Sequence, residues 1–203
     1  MPQTTTGFYA ILSNPRIYNF FQRIMSMPSA QKKLDEFICP AKGQRVLDIG
    51  CGTARILDIL PDVEYHGFDM SQDYIDAAIS RHGTRGHFSC LPMAEIRTDD
   101  MEPFDIVMAL GVLHHMDDNQ VIELIELAHS ALRADGRLVT IDPCYADDQN
   151  LFSRFLVSHD RGRNVRTAGQ YRALAGTVFS RVTGEVVHNR WIPHTHWIMK
   201  CQL

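Results

Sequence analysis

Val46-Leu47-Asp48-Ile49-Gly50-Cys51-Gly52-Thr53-Ala54 is the stretch from which the architecture is read. An apolar strand carries an acid near its end, and a glycine turn opens from it into a helix. Glycine tolerates positive φ and lets a ligand approach the backbone, while the N–H groups at a helix start favour negative or electron-rich groups. Nineteen residues after Gly50, Asp69 ends the next apolar run, Val63 to Asp69. A carboxylate at such a strand tip accepts hydrogen bonds from ribose hydroxyls. The pattern predicts a nucleoside site at the tips of two neighbouring parallel strands.

The chain on either side fits that prediction. A short helix through Ile56 and Leu60 stops before Pro61, and Ser71 stands as N-cap of a helix that Gly83 ends. His87–Cys90 reads as a brief third strand. Phe104–Leu110 is nearly continuous in apolar residues, as a central strand covered on both faces should be. Asp117 or Asp118 caps the next helix, whose inner face carries Val121, Ile125, Ala128 and Leu132 and which Gly136 closes. Leu138–Ile141 is the fifth strand. Strands alternating with helices predict an α/β fold with a parallel sheet. The tail, with β-rich runs from Val182 to Val187 and from Thr195 to Met199 about a Pro193 turn, predicts an antiparallel hairpin closing it. Residues 8–38 read as two helices, so 1–43 form a cap or lid and 44–203 the core of one compact domain.

A dinucleotide dehydrogenase is the competing reading. Its fingerprint needs a third glycine at the position that Arg55 holds, where a long side chain crowds helix–strand packing. Asp48 would also face a pyrophosphate, whereas it suits an ammonium group.

Residues 44–142 resemble the class I S-adenosylmethionine-dependent methyltransferases of the small-molecule type, on the glycine-turn wording and on the order of the motifs after it. The resemblance implies a Rossmann-like, seven-stranded, mostly parallel sheet with helices on both faces and an antiparallel last strand. It implies that Asp48, Gly50, Cys51 and Gly52 embrace the methionine part of S-adenosylmethionine. Asp69 would bind the ribose, Met70 would pack on adenine, Cys90 and Leu91 would flank the adenine edge, and Leu110 and Gly111 would touch the methionyl and ribose parts. Two residues depart from the family pattern. Ala54 stands where many members have a third glycine. Cys90 stands where an aspartate often meets the adenine amino group, and a thiol is a weaker acceptor.

The reaction implied is methyl transfer to an oxygen, nitrogen or carbon of a small metabolite, an in-line displacement helped by alignment and water exclusion. An oxygen or nitrogen acceptor can use a base near neutral pH. His114 and His115, just after the fourth strand, are the candidates, and fixing their loop is the alternative role for either. Arg154, Arg161, Arg163, Arg166 and Arg172 concentrate positive charge against a single acid, Asp160. Arg161 and Arg163 are expected to grip a carboxylate or phosphate on the acceptor, a solvated face or subunit contact being the other reading, and Tyr145, just after the fifth strand, is a candidate for the acceptor pocket. Tyr18 in the aromatic N-terminal segment is the candidate to reach the methionine carboxylate.

Composition sets the outer limits. The chain has 203 residues, 20 basic against 24 acidic, for a net charge of −4, which disfavours nucleic-acid binding. Five scattered cysteines without Cys-x-x-Cys spacing read as free thiols of a reducing compartment, hence cytoplasmic. No metal site is expected, since neither His114-His115 nor His194 and His196 has a third ligand nearby. No apolar run approaches the roughly 20 residues of a membrane span. The expected partner is a small molecule, with the protein a monomer or homodimer. A catalytically inactive cofactor-binding protein is the alternative function, and an RNA or protein methyltransferase is disfavoured by the charge and the compact lid.

Overall fold

Short β-branched runs joined by crossover segments pair in parallel and bury both of their faces. The computed structural model describes residues 36–158, 164–189 and 194–203. Its parallel strands are β1 (Arg45–Ile49), β2 (Glu64–Asp69), β3 (Gly86–Cys90), β4 (Phe104–Leu110) and β5 (Leu132–Tyr145). A two-residue β6 (Arg166–Thr167) pairs with the end of β5. β7 (Arg181–Asn189) and β8 (His194–Gln202) form the expected antiparallel hairpin. The order across the sheet is β3-β2-β1-β4-β5-β8-β7. The last strand of the chain therefore lies inside the sheet, antiparallel to β5 and β7.

The helices are α1 (Gln72–His82), α2 (Asp118–Ala131), α3 (Leu151–Ser158) and α4 (Ala168–Ala175). One core unites Leu47, Val107, Ala109, Leu138 and Met199 of the strands with Leu124 and Ile125 of α2 and Tyr171 of α4. The other unites Val46, Ile106, Met108, Ile141 and Ile198 with Ile38, Leu57 and Ala78. The alternation along β4 thus feeds two cores, which is why that run is apolar throughout.

α2 begins where its sequence says it should. The Asp117 carboxylate accepts from Gln120 N at 3.0 Å, and Gln120 Oε1 accepts from Asp117 N at 3.1 Å, a reciprocal cap. Its end differs from the expectation. The chain passes at Leu132 straight into β5, and Gly136 lies within that segment. A Cβ on Gly136 would stand 3.0 Å from the carbonyl oxygens of Arg133 and Phe104, so close backbone approach, not helix termination, explains the glycine. Of the N-terminal helices, only the closing residues 36–38 are described, with the Ile38 carbonyl accepting from Arg137 Nε at 2.8 Å. The Pro193 turn lies outside the described residues.

Candidate functional site

The turn after β1 is built from three residues with positive φ: Gly50 at 75°, Gly52 at 54° and Ala54 at 52°. Gly50 also needs its missing side chain, because a Cβ there would come within 2.7 Å of Val112 Cγ2. The coil folds the turn back on β2. Gly50 N and Cys51 N both donate to the Phe68 carbonyl, at 2.8 and 3.0 Å, and Gly52 N donates to Asp69 Oδ2 at 2.9 Å. The expected helix is a single 3-10 turn, Arg55–Asp58. Both findings correct the expectation of amides offered to an anion from a helix start. These three N–H groups already have acceptors inside the protein, and so short a helix carries little of the field that holds a pyrophosphate.

Two carboxylates stand at the neighbouring tips. Asp69 joins the turn to α1, accepting from Gly52 N through Oδ2 and from Ser71 N through Oδ1, each at 2.9 Å. Burial raises its pKa, and the backbone donors from Ser71, Gly52 and Met70 oppose the rise. Each of its oxygens retains a second lone pair for a further donor. Asp48 is only 2% exposed. Its Oδ2 accepts from the Tyr65 hydroxyl at 2.6 Å, while Oδ1 is buried with no hydrogen-bond partner among the described residues. Burial pushes Asp48 up to about 7, against the pull of the Tyr65 hydrogen bond and with a smaller push from the charge on Asp69.

Met70, Cys90 and Leu91 gather beside Asp69. Asp69 pairs with Cys90 in register, and Leu91 N donates to the Asp69 carbonyl at 3.0 Å. Cys90 acts as a donor here, its Sγ lying 3.6 Å from the Met70 carbonyl oxygen, whereas the sequence suggested a weak acceptor. The thiol ties the two loops together.

The loop after β4 is clamped from two sides. Gly111, with φ 74°, donates to the Ile141 carbonyl at 2.7 Å. His114 is buried, and Asp142 Oδ1 receives both its backbone N at 3.1 Å and its Nδ1 at 2.9 Å. With Nδ1–H donating to a carboxylate, Nε2 is the basic nitrogen of the neutral ring. The half-buried His115 ring lies 3.9 Å from that of His114, centroid to centroid. Arg166 supplies the second clamp, donating to the carbonyls of Leu113, Met116 and Asn164 at 2.8–3.0 Å and to Asp118 Oδ1.

Arg166 is thus buried structure and not part of a solvated basic face. Arg154 lies 5.5 Å over the Tyr145 ring and Arg172 5.5 Å over that of Trp197. Arg161, Arg163 and Tyr18 lie outside the described residues. Among the described residues, no group of three His, Cys, Asp or Glu side chains is placed to hold a metal, and no helix is long and apolar enough to cross a membrane.

Sequence reasoning missed Tyr65, Asp142 and the clamping role of Arg166. Asp142 had a signal: like Asp48 and Asp69 it is an acid closing an apolar run at a strand tip. Tyr65 had a fainter one, since it pairs with Val46 in register and so shares a face with Asp48 two residues on. The Arg166 clamp had none, because Leu113, Met116 and Asp118, which it joins, lie far from it in sequence.

A family model described as "Methyltransferase domain" matches residues 47–138. The chain is 35% identical over 103 residues to the ubiquinone biosynthesis O-methyltransferase of Bradyrhizobium diazoefficiens, covering 48% of this chain and 39% of that protein. It is 30% identical over 151 residues to the O-methyltransferase cnsE of Penicillium expansum, covering 65% and 54%. The chain therefore spans about half the length of these relatives, or less. Among solved structures, the plantazolicin methyltransferase BpumL, in complex with a pentazolic desmethylPZN analogue and SAH, superposes with a TM-score of 0.69 at 14% identity, over 97% of this chain and 95% of that one.

Proposed function

We propose, from the match of residues 47–138 to a methyltransferase domain, that this protein is a class I S-adenosylmethionine-dependent methyltransferase and transfers a methyl group to an oxygen of a small-molecule acceptor. S-Adenosylmethionine is the cofactor of this family. The preference for oxygen rests on the two relatives, both named O-methyltransferases.

The observation that carries the reading is the orphaned Asp48 Oδ1 beside Asp69, at the carboxyl edge of a parallel sheet where such folds bind ligands. A buried carboxylate oxygen lacking a donor matches the ammonium group of the methionine moiety. Asp69 retains lone pairs for two ribose hydroxyls. Met70 and Leu91 would cover adenine beside Cys90, and Gly50, Cys51, Gly52, Leu110 and Gly111 would line the methionyl and ribose parts. When bound, the sulfonium supplies an electrophilic methyl group. The chain's own work is to align the acceptor and to take its proton. His114, held by Asp142 with Nε2 as the basic atom, and its neighbour His115 are the groups placed for the proton. Arg161 and Arg163 are assigned to an anionic group on the acceptor, Tyr145 to the acceptor pocket and Tyr18 to the methionine carboxylate.

The test has two parts. Calorimetry with S-adenosylhomocysteine should give saturable uptake by the wild-type protein and at least a tenfold weaker Kd in Asp69→Ala. A screen of small hydroxylated acids with labelled S-adenosylmethionine should give a product heavier by one methyl group. Absence of uptake by folded protein removes the reading. Uptake without transfer to any acceptor leaves a cofactor-binding partner protein.

A further inference from the structure

We infer that Tyr65 is a positioning residue of the cofactor site: its hydroxyl occupies one oxygen of Asp48 and thereby aims the other at the ammonium group of the methionine moiety. The inference rests on the cofactor reading above and deepens it.

Tyr65 lies on β2, between the edge strand β3 and β1, 1% exposed, on the face that it shares with Gly67 and Asp69. Two glycines leave the room for its ring. A Cβ on Gly67 would stand 2.9 Å from Tyr65 Cε1, and a Cβ on Gly86 of β3 would stand 2.9 Å from Tyr65 Cδ1. Gly67 lies directly opposite Asp48 in the β1–β2 register, so nothing from that position screens the carboxylate. The Phe88 ring closes the outer side at 5.8 Å, centroid to centroid. The ring would pack equally well without its oxygen. The oxygen serves Asp48, at 2.6 Å.

Stability does not account for this pair. A buried carboxylate and phenol are generally no better for folding than an apolar pair of the same volume, and a carboxylate left half-satisfied is worse. A buried acid with one oxygen held and one open is arranged to receive a donor. The titratable groups facing Asp48 are Tyr65, Asp69 and Cys51, and its strand partner on β4 is the apolar Met108. Tyr65 is thus the group among them that favours the charged form of Asp48, the form that attracts a cation.

The experiment compares wild-type protein with Tyr65→Phe by calorimetry from pH 5.5 to 8.5, using two probes. S-Adenosylhomocysteine carries the ammonium group; 5′-methylthioadenosine keeps the nucleoside and lacks the amino acid. Wild-type affinity for the first should weaken as pH falls through the Asp48 titration. In Tyr65→Phe the weakening should begin about one pH unit higher, leaving affinity at pH 7 about fivefold lower. Methylthioadenosine should bind the two proteins alike. Matching homocysteine profiles, or an equal loss for both probes, overturn the inference, the second because it marks a merely structural role. Failure of wild-type protein to take up either probe instead removes the cofactor reading, and this inference with it. Should Tyr65→Phe not fold, tyrosine-labelled wild-type protein keeps the question open to test. The Tyr65 hydroxyl proton should give a slowly exchanging NMR signal that moves with S-adenosylhomocysteine and not with methylthioadenosine, and an unmoved signal overturns the inference.

Discussion

Asp48, the proposed partner of the ammonium group, would couple ligand binding to pH, and the sign follows from its burial. Its folded-state pKa of about 7 lies above the ordinary 3.8, so the folded protein holds the proton more tightly than the unfolded chain. The stability linked to this proton is fully present below about pH 4 and is lost as pH rises through 7, a swing of roughly 4 kcal/mol at most. Burial raises Asp69 and Asp142 as well, adding to the same trend. A cation beside Asp48 offsets the loss. The thermal shift produced by S-adenosylhomocysteine should therefore be larger at pH 8 than at pH 5.5, and equal shifts would show that no cation reaches this carboxylate. A second residue-scale prediction separates backbone strain from crowding. Gly43→Ala places a side chain at φ 81° with nothing within 4 Å, whereas Gly50→Ala adds a 2.7 Å approach to Val112 at φ 75°. The first should cost about 1 kcal/mol and the second about 2–3 kcal/mol in urea unfolding, with loss of cofactor affinity in the second alone.

The elements that matter most to the chemistry are the loops, and they are positioned by long-range clamps. Arg166, on β6, distributes its donors over Leu113, Met116, Asn164 and Asp118, so one guanidinium fixes the start of α2 and the loop carrying His114 and His115. A lysine cannot reproduce that fork. Arg166→Lys should destabilise the protein by about 2–4 kcal/mol through unsatisfied buried carbonyls. It should lower kcat more than it weakens S-adenosylhomocysteine binding, since the carboxylates proposed to hold the cofactor, Asp48 and Asp69, sit on β1 and β2. Equal losses in both would place the loop's role in cofactor binding instead. Legibility divided along this line. The glycine turn, the β4 run and the Asp117 cap were readable because local periodicity and capping chemistry specify them. The inward turn of the Gly50–Gly52 amides and the Arg166 clamp were not, because their partners come from other elements, β2 for the amides and the loop before α2 for the arginine. Gly136 misled for a related reason: a glycine after a helix suits a left-handed cap as well as a close contact, and only the neighbouring backbone tells which.

At the scale of the molecule, the chain closes its sheet with its final strand. The paired β-rich runs at the end made a hairpin legible in the sequence, and the resemblance supplied the antiparallel last strand. That β8 inserts between β5 and β7 depends on long-range pairing that no local pattern encodes. The register runs from Arg137 opposite Gln202 to Pro143 opposite His196, so β8 covers the strand that carries Asp142. Trp197, Ile198, Met199 and Cys201 are all at least 96% buried, the first, third and fourth in one core and Ile198 in the other. At about 1.5–3 kcal/mol for each buried side chain, these four residues contribute roughly 6–12 kcal/mol, as much as the net stability of a whole domain. Ending the chain after Asn189 should thus abolish cooperative unfolding, with loss of near-ultraviolet circular dichroism and of S-adenosylhomocysteine uptake, although β1, β2 and the carboxylates of Asp48 and Asp69 are intact. A truncated protein that still melts cooperatively and binds would mean that the site folds on the five parallel strands alone, and that the hairpin serves the acceptor side and not the fold.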